Sequence, residues 1–492
     1  MTPADPRRPA RWHADPDGLL SPGAALAAGV ALLLPVILFA AGAGSWNRGL
    51  YPATALAAAI YLYAKRSPWF LGLCLWLFCA TPLIRRLTDL QAGWDPANPL
   101  QLAPYLACLV AAASFLPYAL RDRPRFVTPF VVMLACVAYG FSLAAFDGRI
   151  LSGAVDVLRW SVGPLLAVYL LRHADLQPQF HRVLVDGLLV AGAAMAVYAV
   201  AQFVAPAAWD REWMINVAEL GLNSIGQPRP FEVRVFGTMN APASFAGMLT
   251  LAIIVGIGQR TAVALPLLLL MSLALALTQY RAGWGGLMVG LIVLALTGSA
   301  THKLRIALMA VALLLATGLL ASAPEINRTL GARFDTLTRL ASDRSAEERL
   351  REYGRFFTEA DNLVLGDGLA IAGATRRLDG RHGAVVDAGL TEPFQAFGVF
   401  GGTVFLTAVA AGFLAMWSAS GAGSGPFLHL YRAAAAANLA QLPFGRVLIG
   451  ESGFGMWLCI GLALASIAAW QRASRPEPGS EVPFGGQGIR WS

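Results

Sequence analysis

Apolar residues run along this chain in long blocks, not at alternating or one-in-three positions. The blocks lie near 23–43, 49–64, 68–84, 101–120, 126–146, 150–171, 183–204, 242–258, 261–278, 283–298, 306–323, 389–416, 428–449 and 451–470. A helix crossing a bilayer needs about 20 apolar residues. The pattern therefore predicts an all-α, polytopic transmembrane bundle of fourteen spans, whose last pair also reads as re-entrant. Two stretches break the rhythm, 205–241 and 324–388. In the second, Ser345-Ala-Glu-Glu348 has the form of a capping box, and Leu350, Tyr353 and Phe357 recur at helical spacing. That segment is expected to be a large, partly helical loop.

Charge gives the chain an expected orientation. Arg7, Arg8 and Arg11, then Lys65 and Arg66, then Arg121, Arg123 and Arg125, stand at alternate connections. Arg172 and Arg182, Arg260, Lys303 and Arg305, and Arg472 and Arg475 continue the alternation. Basic short loops face the cytoplasm, so both termini are expected there and both long segments outside. The organisation read this way is a cytoplasmic tail over 1–22, spans 1–11 over 23–323 with outer loop 205–241, a large periplasmic loop over 324–388, spans 12–14 over 389–470 and a cytoplasmic tail over 471–492. No cleavable signal peptide is expected, because the N-terminus is polar and Pro-rich and the first apolar run is span-length.

Composition agrees with this. The chain has 492 residues, 57% hydrophobic and 13% charged, about half the charged content of a soluble domain. A soluble enzyme, a disordered chain and a secreted disulfide scaffold are excluded. The five cysteines lie inside apolar blocks, where they act as small hydrophobes. The net charge of +8 reads as topology plus anionic ligands, not as a nucleic-acid surface. No HExxH, Walker loop, GxGxxG or outer DxD pair is present, so no metal site or cofactor is expected.

The charges that oppose the expected bias carry the chemistry. Arg85 and Arg86 stand on the outer side, followed by Asp89; the structural alternative is a surface loop with an Arg–Asp pair. Arg281 sits in a very short outer turn, Thr278-Gln-Tyr-Arg-Ala-Gly-Trp284, where interfacial snorkelling is the alternative. Asp156 and Arg159 share a helix face and read as a neutralising pair. Asp387 and Glu392 precede the twelfth span, and Arg446 and Glu451 flank the last outer turn. Guanidinium groups bind paired oxyanions through two hydrogen bonds and keep their charge. A carboxylate beside them can accept a hydroxyl proton. Together they fit chemistry on a lipid-linked diphosphate.

Four segments in order resemble the O-antigen ligase / polysaccharide polymerase superfamily of bacterial membrane glycosyltransferases. They are Arg234-Val-Phe-Gly-Thr-Met-Asn-Ala-Pro-Ala-Ser-Phe-Ala246, Gln279-Tyr-Arg-Ala-Gly-Trp284, Ser345…Glu348-Arg349…Tyr353 with Leu365-Gly-Asp-Gly368, and Val386-Asp-Ala-Gly-Leu-Thr-Glu-Pro-Phe-Gln-Ala-Phe-Gly-Val-Phe-Gly401. The ordered set covers residues 230–405; the region from Arg85-Arg86 to Asn98-Pro99 is similar to exopolysaccharide polymerases.

The resemblance implies metal-independent glycosyl transfer at the periplasmic face of a bacterial inner membrane. The donor would be an undecaprenyl-diphosphate-linked glycan, and other polysaccharide assembly proteins would be partners. Arg281 and Arg234 would contact the diphosphate, Arg349 would act from the loop, and Asp387 would be the base. Arg85, Arg86 and Glu392 complete the expected site. Ligase-type members carry His at the position of Asp387 and Asn at that of Ala388, and His382 is an alternative base. The Asp is nearer the polymerase type, so a polymerase is expected, with a ligase as the alternative. A lipid-linked oligosaccharide flippase is the alternative from another class. It would place ionisable residues along a midplane path, for which Asp156 and Arg159 are the internal pair.

Overall fold

In a computed structural model, residues 21–118, 126–220, 225–259, 263–320, 353–354, 362–370, 389–418 and 427–473 are described. Among them the chain is helical, apart from an isolated antiparallel bridge between Gly226 and Val233. The helices are α1 (Pro22–Ala40), α2 (Asn47–Ala64), α3 (Trp69–Ala92), α4 (Ala103–Leu109), α5 (Ala112–Pro117), α6 (Thr128–Phe146), α7 (Ile150–Arg172) and α8 (Gln177–Val204). After these come α9 (Ala208–Glu219), α10 (Pro242–Ile257), α11 (Ala264–Leu277), α12 (Arg281–Thr297), α13 (Ala300–Leu320), α14 (Glu392–Ala415), α15 (Leu428–Leu439) and α16 (Gly450–Ala473).

Each apolar block coincides with a helical segment, but lengths differ. Seven helices among the described residues are long and apolar enough to cross a membrane; the apolar segments at 99–115, α10, α11 and α12 are shorter. The block near 101–120 is broken into a 3-10 turn, α4 and α5. The capping-box residues at 345–348 lie outside the described residues, as does most of the loop 324–388.

Local chemistry sets the helix ends. The Ser21 hydroxyl accepts from the Ala24 amide at 3.2 Å and Pro22 opens α1, which satisfies one free amide and presets φ. Gly93, at φ +82°, ends α3. α3, α7 and α16 are the most buried spans, while α1 and α6 are largely uncovered and carry large exposed apolar side chains such as Leu26, Leu33 and Phe146. Where helices touch, small residues bring the backbones close. A Cβ on Gly286 of α12 would lie 2.5 Å from the Ala437 carbonyl of α15, and one on Gly290 would lie 2.9 Å from the Ala437 Cβ.

Residues 362–370 enter the bundle between α6 and α14. The amides of Asp367 and Gly368 donate to the carbonyls of Gln395 (2.8 Å) and Ala396 (3.1 Å), and Leu369 donates to Gly140 at 2.9 Å. α14 is broken at Gly398 (φ 72°, ψ 179°), and the Val399 amide donates to Leu363 at 2.8 Å. Inserted backbone thus takes up the hydrogen-bonding groups that the break frees, as an apolar interior requires. A Cβ on Gly398 would lie 2.1 Å from the Val364 carbonyl, whereas one on Gly412 meets nothing within 4 Å. Gly398→Ala is therefore expected to lower stability in detergent by at least about 1 kcal/mol, while Gly412→Ala is neutral or stabilising. Equal thermal midpoints for the two variants would contradict the clasp.

Candidate functional site

The buried Arg, Asp and Glu side chains gather at one end of the bundle. α3 continues past its apolar run, so Arg85 and Arg86 lie on a buried helical turn; the Arg–Asp pair of the structural alternative forms there, between Arg85 and Asp89, and not in a surface loop. The Arg86 side chain is wholly buried. It donates to the carboxylate of Asp210 on α9 and to the carbonyl of Gly237 at 2.7 Å, beside the Phe236 ring. The second Asp210 oxygen accepts from the Tyr198 hydroxyl at 2.7 Å, which accepts from Trp209 Nε1 at 2.7 Å. Arg85 donates to Asp89 at 3.2 Å and to the Asp95 carbonyl at 2.7 Å, with its guanidinium about 5 Å from the Trp94 and Trp213 rings. Asp89 also accepts from Asn98 at 2.8 Å and lies 3.8 Å from Arg48. These contacts fix a cap, α9 and the segment after it, with a small core of Trp213, Met214, Val217, Ile225, Val233 and Phe236.

The cap feeds directly into the first family-like segment. Gln202 accepts from the amides of Phe236 and Gly237 at 3.0 and 3.1 Å, and the Thr238 hydroxyl donates to the Cys79 carbonyl at 2.6 Å. Arg234 donates to the carbonyls of Gln279 (3.1 Å) and Thr278 (3.4 Å). That turn, with Gln279 at φ +53°, delivers Arg281 as the first residue of α12. Arg234 therefore braces the turn from which Arg281 emerges.

From the turn, contacts run to the last helices. The Tyr280 hydroxyl packs on Gly445, next to Arg446, and Gly389 packs on the Gly445 carbonyl. Arg446 donates to the carboxylate of Glu392, the first residue of α14. Glu392 is in electrostatic reach of Arg159, which pairs with Asp156 at 3.1 Å and also feels Tyr105. Gly450, at φ +66°, packs on the Tyr105 hydroxyl and Arg159. Glu451, in the first turn of α16, stands in electrostatic reach of Arg159, Ser244 and Arg85. The other Asp156 oxygen accepts from the Ala370 amide at 2.9 Å, and Arg149 donates to the carbonyls of Asp367 and Leu369. The inserted segment is thus tied to the same end.

The site residues expected from the sequence stand as follows. Arg234 donates to the turn that precedes Arg281, Glu392 pairs with Arg446, and Arg85 and Arg86 secure the cap. Arg349, Asp387 and the alternative His382 lie outside the described residues. Arg149, Asp210, Ser244 and Tyr105 were missed, because their partners are distant in sequence. Among the described residues, no three His, Cys, Asp or Glu side chains are grouped as metal ligands. A groove of about 270 Å³ lined by Ala28, Leu32, Trp69, Gly72, Trp76 and Asp186 is apolar and begins at the opposite end of α3. No family model, curated protein or solved structure matches the chain.

Removing one partner of a buried ion pair strands a charge, at a cost of about 3–5 kcal/mol. Asp210→Ala is expected to destabilise the protein by that order, and Arg86→Met with Asp210→Leu by clearly less. Thermal unfolding of the single and double variants checks this. Additive losses would contradict a direct Arg86–Asp210 dependence.

Proposed function

We propose that this protein is a membrane glycosyltransferase acting on a lipid-linked diphosphate glycan, and that it polymerises repeat units of a surface or exported polysaccharide. The observation that carries the reading is that Arg234 donates to the Thr278–Gln279 turn and Arg281 follows that turn at the start of α12, beside the Arg446–Glu392–Arg159–Glu451 run. A diphosphate leaving group needs such donors, since charge accumulates on it as the glycosidic bond breaks. In this reading the charged end faces the periplasm, both termini face the cytoplasm, and the carrier is undecaprenyl diphosphate. Arg281 and Arg234 hold the diphosphate, Arg349 contributes from the loop, and Asp387 is the carboxylate that the resemblance assigns to the hydroxyl proton. Arg85 and Arg86 act by holding the cap beside the site, and Glu392 orients Arg446.

The engagement of Asp156 with Ala370 and Arg159 disfavours transport along the bundle axis, because both carboxylate oxygens are committed to the fold. The test is extension of a lipid-linked repeat unit by the purified protein in detergent. Wild type is expected to form a ladder of products, and Arg281→Ala to slow it by about 10²–10³-fold, the usual loss on removing one charge-stabilising donor. Absence of extension by wild type would overturn the reading. In cells, deletion is expected to accumulate single-repeat carrier; accumulation of long untransferred polymer would assign the protein as a ligase instead.

A further inference from the structure

We propose that Glu451 is the group that accepts the acceptor hydroxyl's proton, with Arg159 as an additional contact to the leaving diphosphate. The proposal rests on the glycosyl-transfer reading and moves the base from Asp387 to α16. The argument is one of selection among carboxylates. Of the carboxylates in electrostatic reach of Arg159, Asp156 and Glu392 each lie within 4 Å of a guanidinium nitrogen, and their side chains are at most 8% exposed. They are structural counter-charges. Among the described residues, Glu451 has no guanidinium within 4 Å, and it stands in electrostatic reach of Arg159, Ser244 and Arg85. It is therefore the carboxylate beside Arg159 that is not locked into an ion pair.

Its setting suits the task. Glu451 lies in the first turn of the 24-residue α16, where the helix dipole favours the ionised carboxylate. Gly450 packs this turn against Tyr105 and Arg159, at 3.3 Å and 3.8 Å from the position a Cβ would take. Among the described residues Arg159 serves Asp156 and Tyr105, its side chain is 23% exposed, and a guanidinium carries five N–H groups. A base and an oxyanion donor thus stand side by side, as general-base transfer requires.

In the step, the acceptor hydroxyl oxygen bonds to the anomeric carbon of the donor sugar. The bond from that carbon to the diphosphate oxygen breaks, and its electron pair leaves with the lipid diphosphate. The hydroxyl proton passes to Glu451 and then to water. A carboxylate suffices for this, as glycosidases show, because the sugar carries oxocarbenium character when the hydroxyl attacks.

The experiment compares wild type, E451Q, E451D and D387N, measuring extension rate against pH and binding of a polyprenyl diphosphate. E451Q is expected to bind the lipid diphosphate within twofold of wild type and to lose extension by about 10²–10⁴-fold, with loss of the acidic limb of the pH profile. E451D is expected to keep part of the rate, with that limb displaced, and it carries the test if E451Q does not fold. D387N is expected to retain the acidic limb of the pH profile, whatever its rate. Extension by E451Q or E451D at the wild-type rate, with an unchanged profile, overturns the inference alone. Loss of that limb in D387N does the same and returns the base to Asp387. Failure of wild type to extend the donor overturns the underlying reading.

Discussion

A guanidinium group sealed inside an apolar helix bundle cannot shed its charge, so it must be met by a carboxylate and by hydrogen-bond acceptors. Here that requirement produces a network of opposite charges, branched at Arg159, across one end of the bundle. It passes from Arg48 through Asp89 and Arg85 to Glu451 and Arg159, and on to Asp156, Glu392 and Arg446. A parallel link, Arg86 to Asp210, ties the cap to α3. The members come from α2, α3, α7, α9, α14 and α16 and from the loop before α16, so the helix ends are registered by charge as well as by packing. Such a network fixes geometry at some cost in stability, which suits a site more than a scaffold.

The second constraint is backbone hydrogen bonding. A break in α14 at Gly398 is tolerable only because residues 363–368 take its freed partners. The insertion ends at Ala370, whose amide is held by Asp156, and Asp156 also holds Arg159. One carboxylate therefore couples the inserted segment to the arginine beside Glu451. The opposite end of the bundle shows ordinary fastening, with Arg66 on Asp175, Arg172 on the Ser114 carbonyl and Arg305 on the Ile257 carbonyl.

The helices were legible because apolar blocks report a helix in an apolar surround directly. Their ends were less so. α3 outlasts its apolar run by two turns because its polar face is covered by the cap, a fact held in Asp210 and Trp213, far along the chain. Asp156 and Arg159 were legible as a pair through their three-residue spacing, yet the role of Asp156 in holding Ala370 spans 214 residues and leaves no local signature. Arg234 and Arg281 were singled out separately; their link depends on carbonyls of Thr278 and Gln279, which any residue supplies. Glu451 was visible only as a flank of a turn, since its neighbours Ser244 and Arg85 come from other helices.

The central claim is that this charged end recognises a lipid-linked diphosphate. It is tested most directly by titrating the purified protein with polyprenyl diphosphate and, separately, with polyprenyl monophosphate, reading the thermal midpoint at low and high salt. The account predicts a larger stabilisation by the diphosphate, by about 2.7 kcal/mol at a hundred times its Kd, weakened by salt and lost in Arg159→Gln. Equal stabilisation by both lipids, unchanged in Arg159→Gln, would contradict it.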